Sequence, residues 1–420
     1  MKNRKIAPLI LRTGEKKTGR ILVLTGARQT GKTTLARALF PQYQFLSIED
    51  PVLRETYGQL TAAQWKTAYP LAILDEVQKA PRLIESIKAA YDQWEDVRYV
   101  LTGSSQILLM EKVRESLAGR CTIIELYPLT LPELRTESWE DPVEDSPCQK
   151  LLQRPAAIKE MISQLLPDFR LDPLYHTKRQ AWDFYCHFGA YPALTEKSLD
   201  DQDRRDWLSN YVRTYLERDV RDLASFRDLE PFIRVQRYLA QATAQLINYA
   251  EISRHTGISL KTVQRYVQYL SYSYQAIVLP PYFRNPQKRL AKAPKIHFLD
   301  QGVLQGILGK WGNPSGNEFE SLVIAEIYKQ IRTKESPWVL YHLRTLDGRE
   351  VDLVLEGSEG FLAFEIKMTD RVSPVDARHL RDLSQFLDKP LIHSFVLSQD
   401  PVTRELSPGI TALHCAYFLG

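Results

Sequence analysis

No stretch of this sequence approaches the ~20 consecutive apolar residues that a helix needs to cross a bilayer. The basic start Met-Lys-Asn-Arg-Lys is followed by a short apolar run from Ile6 to Leu11, too brief for a secretory signal. Cysteine is scarce: the four residues Cys121, Cys148, Cys186 and Cys415 lie far apart and form no CxxC pair. That excludes a disulfide framework and a cysteine zinc site, and it fits a reduced, cytoplasmic compartment. No period of 20–50 residues recurs, so solenoids and propellers are set aside. An excess of one charge is also missing, since 55 basic residues face 51 acidic ones for a net charge of +4. This permits a local basic patch without requiring a nucleic-acid partner. What remains is an ordinary soluble composition, 44 % hydrophobic and 25 % charged, over 420 residues. Two to four folded units are expected at that length.

The first third alternates short β-branched runs with longer amphipathic ones. Ile21–Thr25, Phe45–Ile48, Leu71–Leu74, Tyr99–Thr102 and Thr122–Leu126 read as buried strands. Lys32–Phe40, Leu83–Trp94 and Ser105–Leu117 read as the helices between them. Strands alternating with helices predict βαβ units around a parallel sheet. The acidic, proline-bearing stretch from Trp139 to Pro147 reads as a linker or surface insertion, and a helical pattern follows from about 150 to 280. After about 315, one helix precedes a return to strands. The expected division is 1–138, an ATPase-type α/β domain; 139–180, a linker or insertion; 181–305, a helical region; and 306–420, a second α/β domain.

Gly26, Ala27, Arg28, Gln29, Thr30, Gly31, Lys32 and Thr33 match GxxxxGK[ST] directly after a strand, and Thr34 continues into a helix. Glycines let backbone N–H groups turn inward around phosphate oxygens, and the helix N-terminus adds partial positive charge. Lys32 would reach the β- and γ-phosphates of ATP and Thr33 would ligate Mg²⁺. The strand Leu71–Leu74 ends in Asp75 and Glu76. Asp75 would hold Mg²⁺ through water, and Glu76 would orient and deprotonate the attacking water. The strand ending at Thr102 leads to Ser104, which would either sense the γ-phosphate or cap a helix. Gly119 reads as a helix end that presents Arg120 outward, as an arginine finger for a neighbouring subunit or as a surface residue favoured by the helix dipole.

In the middle, a short helix ends at Gly257 and Ser259 caps a second, whose apolar face is Val263, Tyr266, Val267 and Leu270. A glycine turn between two short helices is the helix-turn-helix pattern. Lys261, Thr262, Gln264 and Arg265 would face outward for base or phosphate contact. The basic run Arg284, Lys288, Arg289, Lys292 and Lys295 reads as the wing of a winged helix, suited to a phosphate backbone, although such modules also act as lids.

Near the C-terminus, Glu350–Glu356 and Phe361–Lys367 form an expected hairpin with a four-residue loop. Pairing Glu356 with Phe361 sets Asp352 opposite Glu365. Two facing carboxylates repel unless a divalent cation lies between them. Lys367 falls on the same face, and Glu320 lies on a helix that could reach the same point. The arrangement Glu…Asp-x₁₂-Glu-x-Lys resembles the active site of the PD-(D/E)XK nuclease superfamily, of which a metal-free relic is the alternative.

Taken in order, these elements resemble those of prokaryotic AAA-superfamily ATPases that carry a C-terminal region called domain of unknown function 4143. The resemblance extends to Gly189-Ala-Tyr191-Pro192, to Tyr215-Leu-Glu-Arg218-Asp219-Val, and to Lys295-Ile-His-Phe-Leu-Asp300-Gln-Gly302. It implies ATP binding and hydrolysis in a P-loop domain and a nuclease-like, restriction-endonuclease-like C-terminal α/β fold, beside the winged helix-turn-helix read from the residues above. It leaves the cellular role open. The expected activity is Mg²⁺-dependent ATP hydrolysis acting on DNA, with metal at Glu320, Asp352 and Glu365 and no membrane partner. The alternative is a nucleotide-regulated switch that binds a protein or DNA partner without cutting, its nuclease-like domain inactive; besides DNA, the expected partners are its own copies or another protein. A nucleotide kinase lacks an acceptor signature here.

Overall fold

A computed structural model describes residues 1–103, 116–216, 228–285, 287, 289, 292–345 and 348–420. Ser104, and the helix expected from Ser105 onward, lie outside these residues, as does most of the stretch around Arg218 and Lys288.

The first unit starts with helix α1 (Ala7–Gly14), followed by β1 (Ile21–Thr25), α2 (Lys32–Leu39), β2 (Gln44–Ser47), α3 (Pro51–Gln59), α4 (Ala62–Ala68), β3 (Leu71–Asp75), α5 (Pro81–Gln93), β4 (Arg98–Thr102) and β5 (Cys121–Glu125). The five strands pair in parallel in the order β2-β3-β4-β1-β5. Every residue of β1 is buried, as an unbroken apolar run requires when helices cover both faces of a parallel sheet. The short apolar run at the N-terminus becomes part of α1, where Ile6 and Ile10 pack against Leu24 and Leu35.

The expected linker is folded. Ser146 caps α7 (Pro147–Gln153), which follows the single-turn α6 (Leu131–Leu134), and α8 (Ile158–Ser163) comes next. Cys148, Leu151, Leu152 and Ile158 are buried with Phe319, Leu353 and Leu355 of the C-terminal unit, and the Trp338 indole donates to the Leu152 carbonyl at 2.9 Å. The composition of Trp139–Pro147 is loop-like, but the apolar residues just after it cover the distant sheet.

The middle unit comprises α9 (Tyr175–Phe188), α10 (Asp201–Tyr211), α11 (Glu230–Gln241), α12 (Tyr249–Thr256), α13 (Leu260–Tyr272), the antiparallel pair β6 (Ala276–Leu279) and β7 (Lys295–Phe298), and α14 (Gln301–Leu308). Gly257 ends α12 at φ 72°, and the Ser259 hydroxyl accepts from the Thr262 N–H to start α13. Val263, Tyr266, Val267 and Leu270 are buried as expected, while Lys261, Gln264 and Arg265 are exposed and Thr262 is half-buried.

The basic run after β6 does not stand out as a wing. His342 bridges the backbone on either side of Pro281, accepting from Tyr282 N–H at 2.7 Å and donating its own N–H to Pro280 O at 3.0 Å. Arg284 donates to the Leu387 carbonyl at 2.7 Å, and Arg289 pairs with Glu356 at 3.0 Å. These cations dock the segment onto the C-terminal unit.

That unit contains α15 (Gly316–Thr333), β8 (Val339–Arg344), β9 (Glu350–Glu356), β10 (Phe361–Ile366), β11 (Leu391–Ser398), β12 (Arg404–Ser407), β13 (Ile410–His414) and α16 (Cys415–Leu419). Its sheet order is β12-β13-β11-β10-β9-β8, with β10, β11 and β13 parallel and the outer pairs antiparallel. Phe361 pairs with Glu356, the expected register.

Candidate functional sites

The phosphate-binding loop leaves the buried end of β1 with two glycines where a side chain does not fit or strains the backbone. Gly26 sits at φ 145°, and a Cβ there would strike the Leu126 carbonyl. Gly31 opens α2 at φ 89°. The Thr30 hydroxyl donates to the Ala27 carbonyl at 2.8 Å, and Arg4 donates to the Thr30 carbonyl at 2.9 Å. Lys32 is buried and folds back over the loop, donating to the Gly26 carbonyl at 3.0 Å and the Ala27 carbonyl at 2.7 Å. Beside it, the Thr33 hydroxyl donates to Asp75 Oδ1 at 2.9 Å, and the Thr102 hydroxyl donates to the same oxygen. Gln78 holds Glu76 Oε2 at 2.6 Å.

A buried ammonium lying along a glycine loop, next to a hydroxyl–carboxylate pair, is a donor set that fits ATP with Mg²⁺. A cavity of about 320 Å³ adjoins Thr30, Gly31 and Thr34; Met1, Leu35, Leu129 and Pro192 contribute apolar wall, and Lys2, Arg4, Glu137, Glu196 and Lys197 contribute charged groups. The sequence pattern assigns none of those four apolar residues to the nucleotide. The one signal it offers is the Gly189-Ala-Tyr191-Pro192 turn. Its geometry explains the pairing with the later Asp300-Gln-Gly302: Gly189 has φ 73°, a Cβ there would strike the Asp300 carboxylate, and that carboxylate accepts from Ala190 N–H at 2.7 Å. The Tyr211 hydroxyl, 3.1 Å from that of Tyr191, donates to the Arg28 carbonyl at 3.1 Å and so ties this turn to the loop.

Arg120 lies at the opposite edge of the sheet, immediately before β5, whose Cys121 pairs with Ile21. The length of β1, ~17 Å, separates it from its own phosphate loop. Its guanidinium makes a two-pronged pair with Asp92 at 2.6 and 3.0 Å.

A buried tyrosine junction connects the loop to the other units. Tyr274, just past α13 with φ 58°, donates to Glu125 Oε1 at 3.1 Å and lies 3.3 Å from the Thr25 hydroxyl. Tyr127 donates to Glu125 Oε2 at 2.7 Å, and its ring meets those of Tyr274 and Tyr328 edge-on at 5.8 and 5.6 Å. Burial pushes the phenol pKa values of Tyr127 and Tyr274 well up, so both remain hydroxyl donors. Thr25 immediately precedes Gly26, and Tyr328 belongs to α15.

The C-terminal carboxylates do assemble, but around a lysine. Lys295, 2 % exposed, extends its ammonium from β7 to Glu350 at 2.7 Å, Glu320 at 3.0 Å and Asp352 at 4.0 Å. Lys367 pairs with Glu365 at 2.7 Å, and Asp352 Oδ2 accepts from Ile366 N–H at 2.8 Å. Burial, with the Asp352 charge next in weight, raises the pKa values of Glu320 and Glu365 to about 8 each. Burial also raises that of Asp352, while Lys295 opposes the shift. Among the described residues, nothing hydrogen-bonds Glu365 Oε2, and no three Asp, Glu, His or Cys side chains converge as a metal-binding group. In this arrangement the cations beside the expected metal ligands are lysines: Lys295 next to Glu320 and Asp352, and Lys367 next to Glu365. The sequence pattern puts Lys295 on a wing and gives Glu350 no role, since sequence proximity holds no hint that β7 runs beside the hairpin.

The sheet and its loop thus define a P-loop, ATP-binding domain. Comparison with known proteins agrees: residues 18–135 match an AAA domain, residues 179–312 a domain of unknown function (DUF8612), and residues 315–418 a domain of unknown function (DUF4143). The chain is 28 % identical over 372 residues to an uncharacterized protein of Mycobacterium tuberculosis, covering 86 % of this chain and 73 % of that one. It is 21 % identical over 380 residues to an uncharacterized protein of Haemophilus influenzae, covering 84 % of each. Among solved structures, a Walker-type ATPase of Pyrococcus abyssi aligns over 72 % of this chain and 94 % of its own, at 13 % identity and a TM-score of 0.45. Among the described residues, no helix is long and apolar enough to cross a membrane.

Proposed function

We propose that this protein hydrolyses ATP and uses its nucleotide state to change how its helix-turn-helix engages DNA. The observation that carries this reading is the Asp75 oxygen shared by Thr33 and Thr102 beside the buried Lys32, together with the tyrosine contact from the helix-turn-helix to Thr25. ATP with Mg²⁺ supplies the phosphoanhydride to be cleaved and the cation that offsets its charge. Lys32 exchanges its two loop carbonyls for phosphate oxygens. Thr33 and Asp75 would hold the cation, and Glu76, steadied by Gln78, would receive the proton of the attacking water. When Lys32 leaves the Gly26 carbonyl, the strand end at Thr25 feels the change, and Tyr274 passes it to the end of α13. Exposed Lys261, Gln264 and Arg265, with Thr262, form the DNA-facing surface. The position of Arg120 supports action only on a neighbouring copy's nucleotide, so the working form is an assembly of copies. Steady-state ATPase with and without duplex DNA tests the reading. A Lys32→Ala protein that turns over at the wild-type rate overturns it.

A second reading is favoured by one observation, the lysine among the carboxylates. In it the protein is a nucleotide-regulated switch whose nuclease-like domain holds a partner without cutting. No cleavage step is assigned to Glu320, Asp352, Glu365 or Lys367. Turnover near zero, with intact nucleotide-dependent DNA binding, selects this reading over the first.

A further inference from the structure

A cavity of about 870 Å³ opens between the segment after β6, strand β8 and the short turn Leu383–Phe386. It meets a second cavity of about 430 Å³ over Lys295, Glu320 and Glu350, and Leu246 and Arg344 line both. The floor of the larger one is Tyr282, buried and packed edge-on against Phe361 at 5.1 Å. Phe283 and Phe386 are half-buried on its walls, and the Arg349 guanidinium lies 5.1 Å from the Phe386 ring. Arg284, Lys292 and Arg344 are exposed at the rim.

The chemistry of this lining is selective. Among the described residues it combines flat aromatic faces with cations and contains no carboxylate. Arg284 is held in place by backbone carbonyls, which fix its position without cancelling its charge. Among the described residues Lys292 forms no ion pair, and Arg344 stands across the strand pair from Glu350, whose carboxyl it helps hold down, without closing an ion pair with it. On the same wall, the buried His342 contacts the Ala293 carbonyl through Nε2 at 3.3 Å, while its Nδ1 has no hydrogen-bond partner among the described residues. A ligand with repeating anionic charge, planar apolar groups and edge donors answers all three features. A duplex presents its phosphates outward but keeps its base faces stacked. Only an unpaired strand offers both at once.

We propose that this groove binds an unpaired polynucleotide strand. Its bases stack on Phe283 and Phe386, and its phosphates meet Arg284, Lys292 and Arg344. The proposal rests on the DNA-binding reading above and names the form of nucleic acid that the C-terminal unit takes. Duplex held by α13 and a frayed strand in the groove would be bound by adjoining parts of the protein, since Leu246 lies between α11 and α12.

The test is fluorescence anisotropy with the full chain, using labelled dT20, U20 and a blunt 20-base-pair duplex at several salt concentrations. Phe386→Ala is expected to weaken dT20 binding about tenfold, in line with ~1–3 kcal/mol per stacked base. The double variant Lys292→Glu/Arg344→Glu is expected to weaken it more and to flatten the salt dependence by roughly 0.7 for each phosphate left without its cation. Both variants should bind a fluorescent ATP analogue and the blunt duplex within twofold of wild type, which shows that they fold. Equal losses on U20 make the site one for either polynucleotide, and losses on dT20 alone make it specific for DNA. Unchanged dT20 binding in both variants, or no dT20 binding by wild type that still binds duplex, overturns the groove and spares the DNA reading. If no oligonucleotide binds wild type, both fall.

Discussion

Replacing Lys295 with methionine removes one charge and keeps most of the side-chain volume, so what is tested is electrostatics. The ammonium is 2 % exposed and lies within 3.0 Å of two carboxylates, with a third at 4.0 Å. Taking one partner from a buried cluster leaves the others uncompensated, at a cost of ~3–5 kcal/mol. That cost depends on pH. With Glu320 already lifted to about 8 by burial, acid lets the orphaned carboxyls take up protons and escape the penalty. A carboxyl that ionises at about 8 when folded and at its ordinary value of 4.5 when unfolded stabilises while protonated, and this contribution drains as pH rises between those values. Wild type shares that slope, but without Lys295 Glu350 also loses the ammonium that holds its carboxyl down, so the folded variant keeps a proton that wild type releases, worth ~1.4 kcal/mol per pH unit while it is held. The variant should therefore lie close to wild type near pH 5.5 and fall several kcal/mol below it at pH 8.5. Urea unfolding followed by tryptophan fluorescence, compared at the two pH values, measures the gap. An equal loss at both would show that Lys295 contributes packing alone.

Other outcomes follow from the remaining geometry. Gly26→Ala forces a methyl onto the Leu126 carbonyl at φ 145° and should abolish binding of a fluorescent ATP analogue while melting the first unit early in calorimetry. Asp75→Asn keeps the shape but removes the charge beside Thr33 and Thr102, so steady-state turnover should fall at least ~100-fold and gain little from added Mg²⁺. Tyr274→Phe deletes the hydroxyl that reaches Glu125 and Thr25, costing ~1.5–3 kcal/mol for a hydrogen bond to a charged group. Its ATPase should persist but lose its response to duplex DNA, and a full response would refute the relay through this junction. Lys261→Glu with Arg265→Glu should weaken duplex binding across all sequences and reduce the salt slope by about 0.9 for each phosphate no longer neutralised.

The parts that are legible in the sequence are those whose determinants are contiguous. The phosphate loop is a run of eight residues whose glycines, lysine and threonine act where they stand, and Asp75 announces itself as the polar end of an apolar strand. The hairpin register follows from a short loop, which leaves little freedom in pairing Glu356 with Phe361. The helix-turn-helix is visible in a glycine, a serine cap and four apolar positions. What stays hidden depends on contacts across long sequence distances. Lys295 belongs to a basic run by composition but to the carboxylates by topology, because the β6–β7 pair brings it beside Glu350 and Glu320. The walls beside Thr34 come from Met1, Leu129 and Pro192, which no local pattern connects. Cys148 to Ile158 follow an acidic, proline-bearing segment that reads as a loop, and only the apolar face of the distant sheet explains them.

That last feature limits how the gene can be divided. Leu151, Leu152 and Trp182 fill one interior with Phe319, Leu322 and Phe418, so material from before residue 190 completes the core of the final third. A fragment cut at 315, where the similarity to DUF4143 starts, would leave that interior open to water and prone to aggregate. Recombination that traded C-terminal cassettes between related proteins would have to carry the helices of 147–188 along with them. The chain is inherited, and must be expressed, as interlocked pieces.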